Sequence, residues 1–89
     1  MKIFVAGGTG VLGRRVVPQL IHEGYEVVGL SRFSEEDDRL ATRGAEPRRG
    51  DLFDREGMRL LSEDCDVIIN LTSVFFAEIT DKYRRLGAQ

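Results

Sequence analysis

KIFVAGGTGVLG, residues 2–13, decides the fold. Ile3, Phe4, Val5 and Ala6 form an unbroken apolar run, as a strand buried on both faces requires, and the run leads straight into Gly7, Gly10 and Gly13. A helical pattern follows at once. Strand, glycine loop and helix start together supply what a dinucleotide pyrophosphate needs: a tight turn, backbone free of Cβ atoms, and unpaired N–H groups behind it. A second strand ends at Arg32, nineteen residues beyond Gly13, in keeping with a nucleotide-binding unit of Rossmann type.

Working outward, residues 11–23 place Leu12, Val16, Val17, Leu20 and Ile21 on one helical face, closed by Gly24. Pro18 lies inside that helix, where tertiary packing has to override its propensity. Residues 25–30 (YEVVGL) read as the second strand. Ser34 is the expected N-cap of the next helix, with Glu35, Glu36, Asp37 and Asp38 in its first turn, Arg39 and Arg43 near its end, and Gly44 as the stop. Residues 45–49 form a short third strand, placed at a sheet edge by Pro47. Asp54 caps a short helix through Leu61, and residues 66–71 (DVIINL) form a fourth strand expected to be buried on both faces. Phe76, Ile79, Tyr83 and Leu86 recur at helical spacing, which predicts a C-terminal helix. Right-handed crossovers then give one α/β domain over residues 1–89. It is a partial doubly wound Rossmann fold, with a parallel sheet in the order 3-2-1-4 and flanking helices. Its crevice opens between strands one and four, above the glycine loop.

Each loop residue has an expected task. Gly7 allows the turn, Gly10 lets backbone approach phosphate, and Gly13 brings the helix close to the sheet. Thr9 offers a hydroxyl to a phosphate oxygen, and the N–H groups near Gly10, Val11 and Leu12 are open donors. The end of strand two selects the nucleotide. An NAD site wants a carboxylate there for the ribose hydroxyls, whereas this chain has Ser31 and Arg32, which suit a 2′-phosphate. One charge-assisted pair of that kind contributes about 1.5–3 kcal/mol, roughly ten- to more than a hundred-fold in affinity. NADP is therefore the expected cofactor, ahead of NAD. The acidic residues at 35–38 are expected to face water.

GGTGVLG at 7–13, GLSR at 29–32, RGDLFD at 49–54 and DVIINLTS at 66–73 together resemble the short-chain dehydrogenase/reductase superfamily. The likeness is to its extended and atypical branches, the epimerase/dehydratase-like and NmrA-like NAD(P)-binding proteins. It extends from Met1 to about Ser73. The resemblance implies that Asp51, with Leu52 beside it, contacts the adenine amine, and that Leu71, Thr72 and Ser73 pass the cofactor's ribose. It also implies hydride transfer to a carbonyl or sugar-nucleotide substrate. The family's Tyr-x-x-x-Lys pair is not matched, since Gly29 and Gly87 stand four residues after Tyr25 and Tyr83. No catalytic residue is therefore assigned, and the chain looks like the N-terminal half of such an enzyme. An alternative is a non-catalytic NADP-sensing or protein-interaction module, as NmrA-like members suggest. A methyltransferase using S-adenosylmethionine shares the architecture, but Arg32 argues against it.

Composition narrows the classes further. Thirteen Lys and Arg against fifteen Asp and Glu give a net charge of −2, which speaks against nucleic acid. No apolar run suits a signal peptide or a membrane span. The single cysteine, Cys65, fits a reducing cytoplasm, and His22 has no companion that would make a metal site. A fourth strand left uncovered, or the C-terminal helix, is expected to drive self-association.

Overall fold

Phe4 and Val5 are fully buried on opposite faces of β1 (Lys2–Ala6), so the first strand lies at the centre of the molecule. The computed structural model describes residues 1–72. Over them the chain runs β1, α1 (Val11–His22), β2 (Glu26–Ser31), α2 (Ser34–Thr42), β3 (Glu46–Arg49), α3 (Arg55–Leu61) and β4 (Val67–Asn70). All pairings are parallel and the order is β3-β2-β1-β4, as expected. The C-terminal stripe from Phe76 to Leu86, and Ser73, lie outside the described residues.

Strand alternation divides the core in two. Ile3, Val5 and Val27 meet Val17 of α1 and Leu40 of α2 on one face. Phe4, Ala6, Val28 and Leu30 meet Met58 and Leu61 of α3, with Leu52 and Cys65, on the other. Burial of each large apolar side chain contributes about 1.5–3 kcal/mol, so these two small clusters hold the sandwich together. Both crossovers on the first face close alike. Gly24 (φ 94°) and Gly44 (φ 95°) adopt the left-handed conformation that follows a helix. Gly24 N–H donates to Ile21 O and Tyr25 N–H to Leu20 O. Gly44 N–H donates to Ala41 O and Ala45 N–H to Leu40 O. These bonds take up Tyr25 and Ala45, and for that reason β2 and β3 each begin one residue later than the sequence suggests.

Two expectations are corrected. Ser34 is not the N-cap of α2 but its first helical residue. Phe33 is the N-cap, and the turn before the helix is stitched by Ser31 Oγ donating to Phe33 O and by Arg32 N–H donating to Glu36. Nor is β4 buried on both faces: Val67 is 38% and Ile68 59% exposed, because among the described residues β4 is an edge of the sheet and α3 packs over β1 and β2 instead. Among the described residues no helix is long and apolar enough to cross a membrane.

At the amino ends of the strands, Arg48 ties the α3 layer down. Its Nη1 donates to Leu61 O at 2.7 Å and to Asp64 at 2.6 Å, and its Nε donates to Glu46 at 2.7 Å. Lys2 Nζ donates to the same Asp64 carboxylate at 3.0 Å. The Arg48 guanidinium and then the Lys2 ammonium hold the Asp64 carboxyl far below its ordinary value of 3.8. A carboxyl depressed in the folded state stabilises above its unfolded pKa and loses that contribution as pH falls. Urea midpoints should therefore drop as pH is lowered from about 5 to about 3. Asp64→Asn should unfold more easily at neutral pH and show a flatter profile. An Asp64→Asn profile as steep as that of the wild type would exclude this cluster as a source of acid sensitivity.

Candidate functional site

The glycine loop leaves β1 at its carboxyl end, where φ at Gly7 is 86° and Gly10 N–H donates back to Gly7 O at 3.1 Å. Three of its glycines are dictated by the protein itself. At Gly7 a Cβ would come within 3.0 Å of Thr72 N and 2.9 Å of the Leu71 carbonyl carbon, in addition to the positive φ. At Gly8 it would press on Leu40 at 3.0 Å, and at Gly13 it would run into the Gly8 peptide. The expected close approach of α1 is thus an approach to the loop's own backbone.

Gly10 differs. Its φ of −85° suits any residue, and a Cβ would meet only Gly7 O, at 3.5 Å. It is exposed and opens α1 without a side-chain acceptor, and no acidic residue stands in the first turn. Among the described residues no side chain caps the donors at the start of the helix. Val11 and Leu12, 77% and 59% exposed, flank this opening.

The other site residues stand at the carboxyl ends of the neighbouring strands. Leu71 and Thr72 follow β4 and line the loop at Gly7, with Asn70 Oδ1 accepting from Thr72 N–H at 2.9 Å and from Thr72 Oγ1 at 2.8 Å. Asp51 follows β3 and is exposed, its Oδ1 accepting from Phe53 N–H at 2.9 Å, while Leu52 packs into the second core cluster. Arg32 follows β2, its side chain 68% exposed and its guanidinium 5.3 Å from the centre of the Phe33 ring. Ser31 is fully buried, and its hydroxyl lies within hydrogen-bond reach of Phe33 O and of Asp37, which also pairs with Arg49.

The acidic turn of α2 does not face water throughout, contrary to expectation. Glu36 is buried and turned inward. Oε1 accepts from Arg32 N–H at 2.8 Å and Arg32 Nε at 3.2 Å, and Oε2 accepts from Arg32 Nη2 at 3.3 Å and Thr9 Oγ1 at 3.0 Å. Burial works to raise its pKa, but the bonds from Arg32 and Thr9 outweigh it and hold the carboxyl below the usual range. Arg32 in turn is held above its ordinary value by the hydrogen bond and charge of Glu36.

Sequence reasoning missed Glu36, Asn70 and Arg43. With Phe33 as the N-cap, Glu36 stands three residues on, where an acid commonly reaches back to backbone N–H groups, but the expected N-cap, Ser34, pointed to Asp37 instead. Arg43 had none. From the end of α2, its Nη1 donates to Gly8 O and, at 3.0 Å, to Gly10 O, thirty-three residues away. It clamps the loop through these two carbonyls. Burial lowers its pKa, followed by the charges of Arg39 and Arg14. Arg43→Ala should cost about 1–3 kcal/mol in urea unfolding, the range for losing hydrogen bonds from a charged donor. Arg43→Lys should recover part of that. Equal stability of Arg43→Ala and wild type would show that the loop needs no clamp.

Comparison with known proteins agrees with this architecture. The sterol-4-alpha-carboxylate 3-dehydrogenase (decarboxylating) of Dictyostelium discoideum is 35% identical over 69 residues, 78% of this chain and 21% of that protein. A farnesyl-dihydroquinoline-oxide ketoreductase of Stigmatella aurantiaca is 35% identical over 81 residues, 91% of this chain and 24% of that protein. A crystal structure of a putative betaketoacyl-ACP reductase superposes with a TM-score of 0.68 at 26% identity, covering 81% of this chain and 33% of that one. The chain thus spans between a fifth and a third of the length of these relatives. The profile of the NAD dependent epimerase/dehydratase family matches residues 3–84, and with its glycine loop, its parallel sheet and its relatives the chain belongs to that family.

Proposed function

We propose that residues 1–89 are the NADP-binding module of an oxidoreductase or epimerase of the short-chain dehydrogenase/reductase type. Gly10 carries this proposal. The fold has no need of a glycine there, yet a side chain would project into the open space at the mouth of α1, whose start carries no side-chain cap. That is the space a pyrophosphate requires, and the glycine loop, helix start and crevice fit a dinucleotide. Gly7, Thr9, Gly10, Val11, Leu12 and Gly13 would hold the phosphates. Arg32, with Ser31 behind it, would meet the 2′-phosphate. Asp51 and Leu52 would border the adenine, and Leu71, Thr72 and Ser73 the ribose.

When bound, the nicotinamide gives or accepts a hydride at an alcohol or carbonyl carbon, chemistry that suits relatives named as a dehydrogenase and a ketoreductase. The chain's own part is to bind and orient. Neither tyrosine is followed by a lysine at the fourth position, so we assign these residues no proton transfer.

Titration calorimetry with NADP⁺ and with NAD⁺ tests the module. NADP⁺ should bind more tightly, and Arg32→Ala should erase that preference. Gly10→Ala should unfold within about 1 kcal/mol of wild type, the usual cost of alanine at a helix start, yet bind either cofactor at least roughly ten-fold more weakly. A Gly10→Ala protein that binds both cofactors as well as the parent sinks the proposal.

A further inference from the structure

Glu36 makes four contacts, and all of them fall on residues assigned to the cofactor. Oε1 takes the backbone N–H and Nε of Arg32; Oε2 takes Nη2 of Arg32 and the hydroxyl of Thr9. The carboxylate comes from α2, but by bonding the Arg32 N–H at 2.8 Å it stands at the carboxyl end of β2. There a dinucleotide site that accepts an unphosphorylated ribose places its acid. The same end of the strand thus holds both the arginine that suits a 2′-phosphate and the carboxylate that suits a 2′-hydroxyl.

These two groups are not independent. Arg32 uses Nε and Nη2, the edge with which a guanidinium grips a phosphate in bidentate fashion, on Glu36. A 2′-phosphate arriving at Arg32 must either displace that carboxylate or bind beside it, and two anions side by side repel. An unphosphorylated ribose makes no such demand, and its hydroxyl could donate to the carboxylate as it stands. The side chain of Glu36 is only 7% exposed, so solvent screens the repulsion poorly, while that of Arg32 is 68% exposed and free to turn outward.

From this arrangement we infer that Glu36 is a specificity-determining residue, which by holding Arg32 and Thr9 limits the preference for a 2′-phosphorylated dinucleotide and keeps the site open to NAD. The inference rests on the cofactor-binding reading of the glycine loop. It assigns Glu36 a role beyond capping α2, since a cap alone would act equally on both cofactors.

The ratio of the NAD⁺ to the NADP⁺ dissociation constant, measured by calorimetry on the whole protein, separates these roles. Glu36→Gln keeps the shape and an acceptor oxygen for the Arg32 N–H but removes the charge. It should raise that ratio by about ten-fold or more, chiefly through tighter NADP⁺ binding. Glu36→Asp draws the carboxylate one methylene away from Arg32 and should move the ratio in the same direction by a smaller factor, which serves if the glutamine variant does not fold. Circular dichroism melts report folding for each. A parallel change in both constants, with the ratio unmoved, makes Glu36 a structural cap and overturns the inference while leaving the cofactor site intact. Failure of the folded wild-type protein to bind either dinucleotide removes both.

Discussion

Leu40 is the contact on which the rest of the site depends. Its side chain is fully buried against Gly29 of β2 and Gly8 of the loop, and a Cβ on Gly29 would collide with it. The missing side chain at Gly29 lets α2 settle onto the sheet, and the missing one at Gly8 lets the loop pass over Leu40. Residues four before and three after Leu40 lie on the same helical face, and these are Glu36 and Arg43. The first binds Thr9 and the second the carbonyls of Gly8 and Gly10. One stripe of α2, acid, leucine and base, therefore docks the whole glycine loop. The loop's geometry is set from α2 as much as from the strand and helix it joins.

The polarity of that stripe has a further consequence. Arg43 satisfies two carbonyls of the loop, and among the described residues no side chain caps the N–H groups at the start of α1. Glu36 adds a buried negative charge at the carboxyl end of β2, and its cost of burial is offset by four hydrogen bonds donated to it. Among the described residues no side-chain polar atom is buried without a partner. Among the described residues the side chains of Glu36 and Arg43 are thus tied into the loop, while the start of α1 carries no side-chain cap.

The two glycine-terminated helices and the buried first strand were legible in the sequence because each is local, and the sheet order followed from the strand–helix alternation and right-handed crossovers. An unbroken apolar run, a glycine after the last turn and an aspartate before a short helix act through neighbours within a few residues. Asp54, for example, accepts from Gly57 N–H at 3.0 Å as its position suggests. Side chains reaching across the fold were not legible. Four consecutive acids at 35–38 look like a solvated turn, and no spacing rule says that the second of them turns inward to Thr9, twenty-seven residues away. Only Leu40, fixed from outside by Gly8 and Gly29, decides which stripe of α2 faces in. The exposure of Val67 and Ile68 was hidden for the opposite reason. VIIN has the composition of a central strand, whereas the order of the sheet places it at an edge.

A glycine-rich loop invites the conclusion that every glycine in it serves the ligand, and the geometry separates them. Gly7 is required by its positive φ and the wall formed by Leu71 and Thr72, Gly8 by Leu40, and Gly13 by the Gly8 peptide. At Gly7 and Gly13 a side chain would clash with backbone whether or not anything were bound, whereas at Gly8 it would have to push Leu40 aside. Gly10 has an ordinary backbone conformation, and alone of the four it has open space beside it and a place at the mouth of α1. Of the four loop glycines, Gly10 is therefore the one whose missing side chain makes room for no other described part of the protein.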